Sequence, residues 1–342
     1  MPSGDGWRRV QLVSRQTVEL LDALREPRGI SSVTEDALPR LVLDGLIEIE
    51  SGGVTHSGPA AHSLFFHADT AAGPDGPLAR LSIEALQYSA ATGLTEPRAL
   101  ADRLYRHNSR PLSPAWRARL PDAASVSRLL EAGRRGAAAR RRRSHDAVLE
   151  SAGGRGVWRV WDRDGALQPS RSQVTFKLYV SVGLPAVGQA LHATLALFDT
   201  KSAPFSIKVG RDLATLLRPD KLVAYFVRHE DLVESAARLA RELGGMPAQG
   251  VPFTAVVDGS LLLSWAADPA IASEPPGPLR RGSWRGWVVT RLGAALATGN
   301  AAAGVVPPWR FALDRVSLDG VDPRTWTRAD WLESEPPADA DH

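Results

Sequence analysis

The chain has 342 residues, 44% of them apolar, with 41 Lys and Arg against 38 Asp and Glu for a net charge of +3, and no cysteine. Length and apolar share suit a globular protein of two domains, or of one domain with an extension, holding a sizeable core. The missing cysteines exclude disulfides, thiolate metal sites and a cysteine nucleophile together.

In chain order, "MPSGDGWRRVQL" lacks the apolar centre of a secretory signal. No later apolar run approaches the roughly 20 residues of a membrane helix, so a cytoplasmic location is expected. "SRQTVELLDALRE" reads as a helix opened by Ser14, with Val18, Leu21 and Leu24 at helical spacing. "SVTEDALPRLVLDGLIEIESGGVTHSG" reads as a second helix, a strand, a Gly-Gly turn and a return strand. Two helices and a two-stranded wing make residues 1–75 a winged-helix-like unit. Such a unit binds DNA, holds a peptide or partner against its wing strand, or serves only as packing.

Residues 76–150 read as a helical region carried by "LARLSIEALQYSAATG", "PRALADRLYRHNS" and "DAASVSRLLEAGRR", with Pro97, Pro111, Pro114 and Pro121 at the joints. "RRGAAARRRR" gathers Arg134, Arg135 and Arg140 to Arg143. It reads as a solvated charge run or as a docking patch for an acidic peptide, a phosphoprotein or nucleic acid. No aromatic residue is interleaved there for base stacking, and residues 134–156 are expected to be irregular and in part mobile.

Residues 151–332 then alternate strands and helices. "GVWRVWDRDGALQ" reads as a hairpin strand. "VTFKLYVSVG", "PFSIKVG" and "KLVAYFVR" read as strands, separated by the helix "LPAVGQALHATLALFD" and the short "RDLATLLRPD". "EDLVESAARLARELGG" is an amphipathic helix, "DPAIASEPPGPLRRGS" a Pro-rich loop or linker and "WRGWVVTRLGAAL" a return to helix; residues 333–342 form a polar tail expected to be disordered. The class is α+β: an N-terminal winged-helix-like and helical region, then a mixed β-sheet domain with helices packed on it.

Period-two alternation sets Lys177 and Tyr179 on one face of the first of these strands, against Phe176, Leu178 and Val180 on the other. By the same count Lys208 opposes Ile207 and Val209, and Tyr225 opposes Ala224 and Phe226. If those faces coincide, Lys177, Tyr179, Lys208 and Tyr225 line one surface with Arg211 and Arg218 nearby; the plain alternative is a solvated face whose lysines guard a sheet edge. The eight histidines show no metal spacing, and His229 is the one placed to act as an alternative acid. Asp212 and Asp220 read as caps or turn residues. Dinucleotide, P-loop and nucleophile-elbow motifs are missing, so no metal or cofactor is expected.

"FKLYVSVGLPAVGQALHATLALFDTKSAPFSIKVGRDLATLLRPDKLVAYF" resembles the HopA-type type III effector family, whose bacterial relatives act as lyases in lanthipeptide and thioamitide biosynthesis. "KLYVS", a helix, "PFSIKV", "RPDKLVAYF" and a helix opening "EDL" agree in order and spacing, and "ADRLYRHNSR" is similar to the family's Leu-Tyr helix. The likeness spans about residues 80–300 and is strongest over 174–240. It weakens where "GSWRGWVVTRLGAAL" replaces a Gly-Glu-Ser-Phe-Gly type stretch. "LPRLVLDGLIEIE" is similar to the end of peptide-binding winged helices of enzymes that modify ribosomal peptides.

The resemblance implies β-elimination of phosphate from phosphoserine or phosphothreonine in a precursor peptide, leaving dehydroalanine or dehydrobutyrine. It implies two partners, a kinase that installs the phosphate and a leader-bearing precursor. Lys208 is assigned as base, its pKa lowered by burial and neighbouring cations. Lys177 and Arg218 bind the phosphate, with Arg285 or Arg291 as helpers. Tyr179 protonates the leaving oxygen or hydrogen-bonds the phosphate, standing where related phosphothreonine lyases carry a His. Tyr225 orients either party. Two other readings stand beside this one: a HopA-like scaffold that holds a phosphopeptide or protein without eliminating phosphate, and a winged-helix regulator. Against the regulator, "VTEDALPRLVLDGLI" sets one Arg beside three acidic residues, a poor major-groove reader.

Overall fold

Alternating stretches in the second half of the chain become strands of one sheet, and the 3.6-period stretches become the helices that cover it. The computed structural model describes residues 38–66, 76–131, 146–149, 158–162, 174–268, 283–302 and 304–328. Its helices are α1 (Leu38–Leu43), α2 (His62–Phe65), α3 (Gly76–Ala90), α4 (Pro97–Arg106), α5 (Pro114–Arg119) and α6 (Ala123–Glu131), then α7 (Val187–Leu195), α8 (Leu213–Leu216), α9 (His229–Leu243), α10 (Trp284–Ala301) and α11 (Pro308–Ser317). The strands are β1 (Ile49–Ser51), β2 (Val54–His56), β3 (Asp146–Leu149), β4 (Trp158–Asp162), β5 (Thr175–Val180) and β6 (Ser206–Gly210), then β7 (Leu222–Phe226), β8 (Ala255–Val256), β9 (Leu263–Asp268), β10 (Val321–Asp322) and β11 (Thr327–Arg328). This is the α+β architecture expected: an N-terminal helical region and a multistranded sheet with helices packed on it.

The main sheet has seven strands in the order β3-β4-β6-β7-β5-β9-β8. Each neighbouring pair is antiparallel, where a mixture of senses was expected. The reason lies in β7. Strands β5 and β6 run the same way, joined by the α7 crossover, but β7 slots between them and reverses. Strands not foreseen include β3, which falls inside the stretch expected to be irregular and pairs with β4, and the short β10 and β11, which pair with each other beyond α11.

Phe176, Leu178, Val180, Ile207, Val209, Leu222, Ala224 and Phe226 are all buried on one face of the sheet, under α7 and α9. Helix α9 explains its own docking. Leu232, Ala236, Leu239 and Leu243 recur at helical spacing and are buried, and each such leucine stabilises by about 1.5–3 kcal/mol. The opposite face carries the polar side chains and lies under α10 and α3, which pack on β9 and β8.

Helix α10 also runs along α4, close enough that Gly293 admits no side chain. A methyl group there would sit 2.7 Å from the Pro97 carbonyl oxygen and 2.8 Å from the Ala101 nitrogen. That approach brings Tyr105, near the end of α4, against Arg285 in the first turn of α10. At the N-terminal side, α1 and the β1–β2 hairpin match the expected second helix and wing. Leu41, Val42 and Leu43 are buried, and Arg315 of α11 clasps Asp44 through two 2.6 Å contacts. The expected first helix, the Arg134–Arg143 run and the C-terminal tail lie outside the described residues. Among the described residues, no helix is long and apolar enough to cross a membrane.

Candidate active site

Strand register decides whether the lysines meet. Lys177 lies opposite Tyr225 on one side and Ala266 on the other, Tyr179 opposite Val223 and Ser264, and Lys208 opposite Val223 and Val160. Directly paired residues project to the same face, so Lys177, Tyr179, Lys208 and Tyr225 share it, together with Trp158 of β4 and Asp268 of β9. The strands concerned are central, not edges, and Lys177 is only 7% exposed. A solvated lysine row guarding an edge is therefore not what this face is.

Lys208 Nζ lies 4.6 Å from the centre of the Trp158 ring and 5.3 Å from that of Tyr225. Among the described residues it forms no ion pair. Desolvation lowers its pKa, with Arg218 adding to the effect and Asp220, Tyr105 and Asp268 opposing it. Burial is what makes this amine give up its proton more readily than one in water; the two ring faces, which attract a cation, work against it.

Lys177 lies against the same Tyr225 ring, 5.4 Å from its centre, and is ion-paired with Asp268. The other oxygen of that carboxylate accepts the Trp284 backbone N–H at 2.8 Å. Asp268 thus ties β9 to the N-terminus of α10, where the helix dipole favours an anion. Ser283 caps the same turn.

Asp220 makes the second junction. Arg218 grips it through Nε at 2.9 Å and Nη2 at 2.8 Å, and Arg285 Nη1 meets it at 3.0 Å. Burial pushes the Asp220 pKa upward, but the Arg285 and Arg218 guanidiniums overrule it and hold the carboxyl at about 2. Arg285, 1% exposed, spends its remaining donors on the Pro252 carbonyl at 3.1 Å and the Tyr105 carbonyl at 2.8 Å. The Arg218 side chain stays 32% exposed, so it is the guanidinium that an incoming anion meets, with Arg285 behind it. Tyr105 roofs both, its ring centre 4.5 Å from Arg285 and 5.5 Å from Arg218.

Both phenols on the face stay protonated at neutral pH. Desolvation raises the Tyr179 pKa well above its usual value, helped by Asp268, and Tyr225 is raised likewise by burial against an opposing effect of Lys177. Around the Lys208 amine, the assembled group sets the cations of Lys177, Arg218 and Arg285 against the carboxylates of Asp220 and Asp268. Its surplus is positive, which suits a dianion entering a partly desolvated site.

Of the residues singled out from the sequence, Lys177, Tyr179, Lys208, Arg218, Tyr225 and Arg285 are brought together here. Arg291 is not. It lies on α10 six residues beyond Arg285, which on a helix is a different face, and there it meets Asp319 at 3.5 Å and stacks on Trp287 at 3.7 Å. His229 is also elsewhere. It packs on Phe176 and Trp265, whose side chains occupy the opposite face of the sheet from Lys177, so it is removed as an alternative acid. Asp212 does cap α8, whereas Asp220, read as a cap or turn residue, is the carboxylate shared by both arginines.

Four participants escaped the sequence reading as site residues: Tyr105, Trp158, Asp220 and Asp268. Asp268 was recoverable, because Ser264, Ala266 and Asp268 alternate along β9 toward the polar face. Tyr105 lies within the quoted "ADRLYRHNSR". Asp220 lies within the quoted "RPDKLVAYF", two residues after Arg218; Trp158 has no such local signal.

No protein-family model and no curated protein matches the chain. Among solved structures it is similar to the effector protein from Pseudomonas syringae pv. syringae strain 61, at 14% identity over 74% of this chain and 99% of that one, with a TM-score of 0.41. It is similar also to the effector protein from Pseudomonas syringae pv. tomato strain DC3000, at 15% identity over 73% and 98%, with a TM-score of 0.43. The type III effector/phosphothreonine lyase OspF from Shigella flexneri matches at 10% identity over 54% of this chain and 88% of that one, with a TM-score of 0.29.

Proposed function

We propose that the protein is a phosphoserine/phosphothreonine lyase. Its substrate is a kinase-modified precursor peptide, and its product carries dehydroalanine or dehydrobutyrine as a step in ribosomal-peptide maturation. The observation that carries the reading is Lys208: an amine without a carboxylate partner among the described residues, held between Trp158 and Tyr225, with a lowered pKa, beside an otherwise cationic cluster. The choice of peptide rests on the resemblance of residues 174–240 to the HopA-type lyases.

In this reading neutral Lys208 takes the Cα proton of the phosphorylated residue. The electron pair of the Cα–H bond becomes the Cα=Cβ double bond. The Cβ–O bond breaks, and its electrons leave with phosphate. Arg218 and Lys177 hold the departing anion, and Arg285 supports them from behind Asp220. Tyr179 keeps its proton at neutral pH and donates a hydrogen bond to the leaving oxygen, where negative charge develops. Tyr225, between the two lysines, holds both in place. The Cα proton held by Lys208 is matched by one taken up by the departing phosphate, which leaves as hydrogen phosphate, so the step balances and Lys208 returns to its neutral form. A cytoplasmic enzyme of this kind depends on a separate kinase.

The test is incubation with a phosphoserine peptide, followed by mass spectrometry. Loss of phosphoric acid from the peptide with release of inorganic phosphate is the expected result. Binding of the phosphopeptide with no such mass loss would leave a scaffold in place of an enzyme.

A further inference from the structure

Directly after Asp220 comes a third lysine, one with no place in the mechanism above. Lys221 is 0% exposed. Its Nζ donates to the Val182 carbonyl at 2.9 Å and to Gln249 Oε1 at 2.8 Å. The Gln249 amide is oriented without ambiguity, since its other end faces the carbonyls of Asn108 and Leu217, which only accept. Asn108, held at a positive φ of 63°, returns its side-chain amide to the Gln249 and Gly250 carbonyls. Ser181 closes the ring: its hydroxyl donates to the Pro219 carbonyl at 2.8 Å and its own carbonyl accepts the Gln249 N–H at 2.7 Å.

Each segment in this network leads into the site. Residues 181 and 182 follow Lys177 and Tyr179 out of β5, and residues 217–221 contain Arg218 and Asp220. Asn108 stands three residues after Tyr105, and Gln249 three before Pro252, whose carbonyl anchors Arg285. Remove the central donor and these strand ends lose the group that ties them together.

We infer that Lys221 is a positioning residue of this site, fixing the Arg218–Asp220–Arg285 junction against the end of β5 through Val182 and the Gln249–Asn108 amide pair. The inference rests on the proposed function for its kinetic consequence only. A neutral amine suits the place: it has two protons for two acceptors, whereas an ammonium would bury a third N–H with no acceptor among the described residues. Uncharged, Lys221 also leaves Asp220 to the two arginines. In keeping with this, desolvation, with a smaller contribution from Arg110, brings its pKa down to about 7 against the pull of Asp220.

Two variants test the inference. Lys221→Met fills a similar volume and donates nothing. Asn108→Gly keeps the positive-φ turn and loses only the side-chain amide. Each is compared with wild type by thermal melting, by calorimetric binding of inorganic phosphate and by phosphate-release kinetics on a phosphoserine peptide. Folded variants with kcat/KM lower by about 10- to 100-fold, and phosphate bound about tenfold more weakly, support positioning. A lower melting temperature with phosphate affinity and kcat per folded molecule unchanged would overturn it. Should Lys221→Met not fold, Asn108→Gly decides by the same two quantities. If wild type eliminates no phosphate, the lyase reading fails alone: phosphate affinity still distinguishes a weakened site from an unaltered one.

Discussion

Replacing Asp220 with Asn probes the centre of the site with almost no change in volume. The carboxylate is 6% exposed and answers two guanidiniums, one of them 1% exposed. Its pKa lies at about 2 against an ordinary 3.8, a depression worth about 2 kcal/mol to the folded state. The substitution also strands Arg285, and breaking a buried pair from one side costs about 3–5 kcal/mol. The larger figure governs, because an amide carbonyl replaces only part of what the guanidinium loses. Urea unfolding at neutral pH should therefore show Asp220→Asn less stable by about 3–5 kcal/mol with the slope m unchanged. The sign with pH follows from the depressed pKa: the carboxylate's contribution is complete above about pH 4 and drains away as pH falls toward 2. Across that window the advantage of wild type over Asp220→Asn should narrow by about 2 kcal/mol. A penalty under about 1 kcal/mol, or one that does not narrow with acid, would mean that the junction of Arg218, Asp220 and Arg285 does not form.

Four further outcomes are expected. Lys208→Ala should lower turnover by about 10²–10⁴-fold while phosphopeptide affinity stays within about threefold, read by single-turnover mass spectrometry and calorimetry; retained turnover removes Lys208 as base. Because the base acts in its neutral form, wild-type kcat/KM should rise with pH to a plateau whose midpoint lies below the ordinary lysine value, since desolvation lowers the Lys208 pKa; a flat profile contradicts this. Arg291→Ala should leave turnover within about twofold of wild type, because Arg291 is engaged with Asp319 and Trp287, whereas Arg285→Ala should destabilise the fold by about 3–5 kcal/mol in urea unfolding by exposing Asp220 to the opposite imbalance.

The local pattern determined a good deal about this protein. Alternation along "FKLYV", "SIKV" and "LVAYF" fixed which side chains oppose which within each strand, since a β-strand turns over every residue. Apolar spacing along "EDLVESAARLAREL" fixed the buried stripe of α9, and "LIEIESGGVTH" its two-stranded turn. Those are short-range facts, set by backbone geometry and side-chain polarity within a few residues.

Only the tertiary structure decided that the faces coincide. Lys177 and Lys208 meet because β7 inserts between their strands with Tyr225 in register opposite Lys177, a choice made by packing across the sheet and not by either strand. The partners of the counter-charges came from further off: Asp220, already gripped by Arg218 two residues before it, is shared with a guanidinium 65 residues away, and Asp268 meets the start of α10. Arg285 and Arg291, alike in sequence, part company because six residues of helix rotate them onto different surfaces. Burial, which lowers the Lys208 pKa and leaves Asp220 to be held ionised by two guanidiniums, belongs to the whole chain, because it depends on which distant segments exclude the water.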